Sequence, residues 1–155
     1  MDRLVIAVDD PRAADVRALL QRHLAFANEH SPPENVYALD VGGLARPEIT
    51  FFSARRDGEL LGVGALKELD PGHGELKSMH TVAAARGQGV GRAMVTHLLA
   101  LARRRGYGRV SLETGTMEAF GPARALYAGF GFEPCEPFGD YRDSPFSVCM
   151  TMQIV

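Results

Sequence analysis

The stretch Arg86-Gly87-Gln88-Gly89-Val90-Gly91-Arg92 holds the residue types best suited to gripping a phosphate. Three alternating glycines let a backbone turn tightly and approach a ligand closely, because no Cβ intervenes. The stretch follows a strand expected over Gly74–Val82 and opens a helix expected over Val90–Arg104. A helix starting there aims unpaired N–H groups at one spot. Those donors and the positive end of the helix dipole favour an anion. Arg86 and Arg92 add mobile positive charge on either side. A ligand-free glycine hinge would use the same residues, so the loop alone does not decide. The dinucleotide fingerprint Gly-x-Gly-x-x-Gly fails: counted from Gly87, its last glycine falls on Arg92. The mononucleotide loop fails too, since Gly91 is followed by Arg92 and Ala93 rather than by Lys and a hydroxyl residue.

The elements that must position this loop can be read in order. Leu4–Val8 is apolar and β-branched, a first strand. Asp10 and Pro11 have the form of an N-cap and a first helical residue, and apolar residues recur at helical spacing over Pro11–Asn28. Val36–Leu44 is a second short helix or a loop. Ile49–Arg55, Glu59–Leu69 and Gly74–Val82 form an antiparallel meander, turned at Asp57-Gly58 and Pro71-Gly72. The central helix carries Val90, Met94, Leu98, Leu101 and Ala102 on one face, with Gly106 at its end. Arg109–Thr114 alternates as a strand, Pro122–Ala128 is a fourth helix, and Phe146–Ile154 is a final strand. The pattern predicts an α+β fold: a mixed, mostly antiparallel sheet with helices on both faces. The strands flanking the central helix form a parallel central pair. Ligands of such sheets bind in a crevice at the carboxyl ends of parallel strands.

Bulk properties narrow the class. At 155 residues, 46% hydrophobic and 23% charged, the chain suits a single globular domain. A net charge of −2 argues against a nucleic-acid partner. Cys135 and Cys149 form neither a CxxC pair nor a metal-ligand spacing, so thiols and no metal are expected. The N-terminus lacks the apolar run of a signal peptide, and no segment has the length of a membrane span, so a cytoplasmic protein is expected.

Arg86-x-x-Gly89-x-Gly91 resembles the acyl-CoA pyrophosphate loop of the GNAT superfamily of N-acetyltransferases. A second segment, Ala123-Arg124-Ala125-Leu126-Tyr127-Ala128-Gly129-Phe130-Gly131-Phe132, is similar to that family's Ala-x-x-Leu-Tyr-x-x-x-Gly-Phe. The resemblance covers nearly the whole chain. It departs at Phe120, where many family members carry the Asn that contacts the pantetheine arm.

The resemblance implies acetyl-CoA as co-substrate. Its pyrophosphate would meet the N–H groups of Gln88, Gly89, Val90, Gly91 and Arg92, with Arg86 and Gly87 alongside. Met79 and Thr81 match the positions whose backbone runs beside pantetheine and thioester, and the N–H of Met79 or His80 would polarise the thioester carbonyl. Ala123 and Tyr127 complete the cofactor-binding set. Tyr127 resembles the general acid for the departing sulfur; a phenol is protonated at neutral pH. On a helix it is also a plausible core aromatic. For the base, Glu75 is the first candidate, with an ion pair to Lys77 as its alternative. His80 is the second, by the ordinary pKa of imidazole, and Glu113 the third. The acceptor, a primary amine of a small molecule or peptide, would lie among Phe26–Tyr37 and Phe138–Phe146, where Glu34, Asp140 and Asp143 could attract an ammonium. The activity implied is direct transfer in a ternary complex. The alternative is a non-catalytic acyl-CoA sensor. An exposed final strand would allow a homodimer.

Overall fold

The computed structural model describes residues 3–30 and 41–154, with Val41 in backbone only. Among the described residues, seven strands form one sheet in the order β1-β2-β3-β4-β5-β7-β6. They are β1 (Leu4–Val8), β2 (Ile49–Arg56), β3 (Glu59–Asp70), β4 (His73–Thr81), β5 (Arg109–Gly115), β6 (Glu133–Cys135) and β7 (Ser147–Gln153). Every neighbouring pair is antiparallel except β4 and β5. The helices are α1 (Ala14–His30), α2 (Val41–Leu44), α3 (Val90–Arg104) and α4 (Gly121–Phe130).

Strand alternation builds two cores, one on each face. Phe51, Val63 and Ala65 meet Val16, Leu19 and Leu20 of α1 and Leu44 of α2. Phe52, Leu66 and Leu76 meet Val90, Met94 and Leu98 of α3 and Tyr127 of α4. Each fully buried large aliphatic side chain contributes ~1.5–3 kcal/mol, so α3 is fixed chiefly by its apolar stripe. It ends in a Schellman motif: Gly106 is left-handed at φ 80°, and the Tyr107 N–H reaches the Ala102 carbonyl at 3.0 Å. The hairpin at Asp57-Gly58 uses two positive φ values, 53° and 81°. Arg55 ties β2 to the first crossover through Asp9 at 3.0 Å and Asp15 at 2.7 Å.

The structure corrects the sequence reading at three places and decides one open alternative in part. Asp10 and Pro11 belong to a turn closed by the Ala13 N–H on the Asp10 carbonyl at 3.0 Å, so α1 starts at Ala14. Of the stretch Val36–Leu44, residues 36–40 lie outside the described residues and Val41–Leu44 is helical. Glu133–Cys135 is a strand that its three residues and proline concealed; proline is tolerated because β6 is an edge. The final strand β7 is not exposed for pairing with a second copy, because it lies between β5 and β6.

Candidate active site

The β4–β5 ladder is short. It pairs His73 with Arg109, Gly74 with Val110 and Glu75 with Ser111, and stops there. β4 continues to Thr81 and β5 to Gly115, so the strands part and leave a wedge. A bulge widens it. Between Ala65↔Lys77 and Val63↔His80, the two residues Ser78 and Met79 stand against Gly64 alone. Ser78 takes a left-handed φ of 55°, and its buried Oγ has no partner among the described residues. A Cβ on Gly64 would come 2.6 Å from Met94 Cγ and 2.8 Å from the Met79 sulfur, so glycine leaves room opposite the bulge for both methionine side chains.

The wedge opens into a cavity of about 800 Å³. At one end lies the glycine loop. Gly87 and Gly89 hold φ values of 78° and 82°, and a Cβ at either would meet nothing within 4 Å. Backbone conformation, not crowding, requires glycine at both. α3 begins at Val90 with no side-chain cap, which leaves the first-turn amides of Gly89 to Arg92 without partners among the described residues. The Gln88 N–H, included in the sequence reading, is already bonded to the Ala85 carbonyl at 3.3 Å. Its side chain reaches Ala84 and Arg56. Arg86 and Arg92 line this end, the latter over the Phe130 ring at 5.3 Å.

α4 forms the opposite wall. Proline sits in its first turn and left-handed Gly131 closes it at φ 105°. Gly129, one residue past the expected end at Ala128, is inside the helix. Ala123, Leu126 and Tyr127 line the cavity. Tyr127 is 6% exposed, its ring edge-on to Phe132 at 6.0 Å. Burial raises its pKa above the ordinary value of 10. Met79, His80 and Thr81 face the same space.

The three base candidates fall in different settings. Glu75 is 2% exposed and does not line the cavity. Lys77 binds it at 3.2 Å, and the Tyr141 hydroxyl donates to the same oxygen. Lys77 also donates to that hydroxyl at 2.9 Å. The ion pair weighed from sequence is therefore present, and Lys77 and Tyr141 are the members that border the cavity. His80 meets His23 of α1, Nδ1 to Nδ1, at 3.2 Å. Burial pushes both down to about 4, so both rings are neutral at pH 7 and one donates to the other. Glu113 lines the cavity, accepts from Ser147 Oγ at 2.5 Å, and is raised by burial. Asp140 and Asp143 are exposed and off the cavity; Glu34 lies outside the described residues. Among the described residues no group of three His, Cys, Asp or Glu could hold a metal, and no helix is long and apolar enough to cross a membrane.

Residues 14–132, most of the chain, match the sequence profile described as the acetyltransferase (GNAT) family. The chain belongs to the GNAT family. This GNAT protein is 49% identical to the uncharacterized N-acetyltransferase YsnE of Bacillus subtilis (strain 168), over 96% of its own length and 99% of the relative's. A provisionally named acyl-CoA N-acyltransferase of Klebsiella pneumoniae superposes at a TM-score of 0.83, with 28% identity and 98% of both chains covered. An aminoglycoside 6′-N-acetyltransferase complexed with coenzyme A shares the fold at a TM-score of 0.72, with 15% identity and 97% of both chains covered. The GNAT protein is thus an acetyltransferase enzyme.

Tyr141, His23 and Phe120 enter the cavity wall although the sequence reading gave them no chemical role. Glu75 and Tyr141 are 66 positions apart, and His23 and His80 are 57 apart. No local pattern announces such pairs. Phe120 was legible only as a departure from the family pattern.

Proposed function

We propose that this enzyme moves an acetyl group from acetyl-CoA to a primary amine by direct attack in a ternary complex. One observation carries the reading: a single cavity takes in both the unpartnered amides of α3 and the Tyr127 side chain. The residues present fit the co-substrate. The amides of Gly89, Val90, Gly91 and Arg92 would bind a diphosphate, with Arg86 and Arg92 adding charge. The splayed backbone of Met79, His80 and Thr81 would run beside the pantetheine arm, with Ala123 across from it. Acetyl-CoA supplies an activated acyl carbon and a thiolate leaving group.

The chain's residues would do the rest. A backbone N–H of the bulge at Met79 or His80 would polarise the acyl oxygen, a contribution on the order of 3 kcal/mol. As the N–C bond forms and the C–S bond breaks, Tyr127 would pass its hydroxyl proton to sulfur. The amine first gives up a proton. Of the three candidates, Glu113 has the setting for this, being raised above its ordinary value by burial and facing the cavity. Glu75 would act behind it by fixing Lys77 and Tyr141. His80, neutral and of lowered basicity, would orient through His23 rather than hold the proton.

Calorimetry of acetyl-CoA with wild type and Gly89→Glu tests the reading. A carboxylate at the head of α3 should cut affinity at least ~100-fold, while circular dichroism shows the fold intact. Equal affinity for both proteins would overturn it.

A further inference from the structure

The acceptor end of the cavity is built around an aromatic wall. Phe120, in the 3₁₀ turn before α4, meets Phe26 of α1 edge-on at 5.3 Å, and His30 lies tilted against Phe26 at 4.5 Å. The wall rests on β5. A Cβ at Gly115 would fall 2.3 Å from the Phe120 ring, so only glycine there lets the ring lie on the strand. Glu113 is two residues back on the same strand face, ~7 Å along β5. Its Oε2 accepts from Ser147, and it forms no ion pair among the described residues. Lys77 is committed to Glu75 and Tyr141. Arg86 and Arg92 belong to the glycine-loop end. The acceptor end therefore offers an aromatic face and the Glu113 carboxylate, on which the Lys77 charge also acts, while Arg124 beside the wall donates to the Gly115 and Met117 carbonyls.

We propose that the acceptor is a primary amine bearing a single positive charge on an aromatic body and lacking a carboxylate, its ring against Phe26 and Phe120 and its ammonium at Glu113. This rests on the acyl-transfer reading above. A polyamine would bring charges with no partner here, and an amino acid would bring a carboxylate beside Glu113.

The test uses the full chain with saturating acetyl-CoA and follows release of free CoA with 2-phenylethylamine, L-phenylalanine and spermidine. The kcat/KM for 2-phenylethylamine should exceed the other two at least tenfold. Phe120→Leu, which keeps an apolar side chain, should raise the KM for 2-phenylethylamine at least fivefold while the KM for acetyl-CoA stays within twofold. Equal or better use of spermidine or phenylalanine, or an unmoved KM in Phe120→Leu, overturns the acceptor class. Calorimetry separates the two levels. If acetyl-CoA binds and 2-phenylethylamine is not used, the acceptor inference falls alone; if acetyl-CoA does not bind, both fall.

Discussion

Replacing Tyr127 with phenylalanine removes one hydroxyl and little else. The ring is buried against Phe132, and the hydroxyl has no hydrogen-bonding partner among the described residues, so no group is orphaned. Stability should stay within ~0.5 kcal/mol of wild type, because the usual penalty comes from an abandoned partner. Chemistry should suffer. Burial raises the phenol pKa, so the proton is in place at every working pH. A positioned acid is worth ~10²–10⁴-fold, equivalent to ~3–5 kcal/mol in the barrier. The assay is single turnover with enzyme in excess over acetyl-CoA, which isolates acyl transfer from product release. The rate should fall at least ~100-fold, with acetyl-CoA affinity by calorimetry within twofold. A single-turnover rate within threefold of wild type would refute the acid role, and parallel losses of rate and affinity would reassign Tyr127 to binding.

Further predictions concern the framework. His23 is lowered to about 4 in the folded chain against 6.5 in the unfolded chain. The unfolded chain then binds the extra proton between those values, so stability is full above pH 6.5 and is lost as pH falls. The size is ~2 kcal/mol between pH 7.5 and pH 5, with the neighbouring charges Arg22 and Arg86 opposing protonation of His80 as well. Urea titrations should show that decline in wild type and a shallower one in His23→Leu; identical slopes would contradict it. Lys77→Ala leaves Glu75 buried without its cation and should cost ~3 kcal/mol by urea unfolding, where a loss under ~1 would be too small. Gly115→Ala sets a methyl on the Phe120 ring and should cost ~1–3 kcal/mol, part of which Phe120→Leu restores in the double variant; strict additivity would deny the contact.

Legibility followed the range of the interactions. The glycine loop and α3 could be read because their signals are local: positive-φ glycines at 87 and 89, then an apolar stripe of period 3.6. The meander was legible through its turns. The β4 bulge was not, since the residue at positive φ is Ser78, which no local rule selects, and its space comes from Gly64 on the next strand. β6 was too short to show periodicity. The first crossover misled because an acid followed by proline serves a turn as well as a helix. Glu75 drew notice as a strand carboxylate, but its enclosure by Lys77 and Tyr141 depends on a loop far along the chain. Glu113 ranked low because period 2 alone cannot tell a solvent face from a cavity wall.

The central claim is that amides heading α3 hold the diphosphate of the acyl donor. A crystal structure of the chain with acetyl-CoA tests it most directly. The account predicts diphosphate oxygens ~3 Å from the N–H groups of Gly89 to Arg92, with the thioester sulfur near the Tyr127 hydroxyl. A diphosphate bound away from α3, with those amides facing solvent, would contradict it.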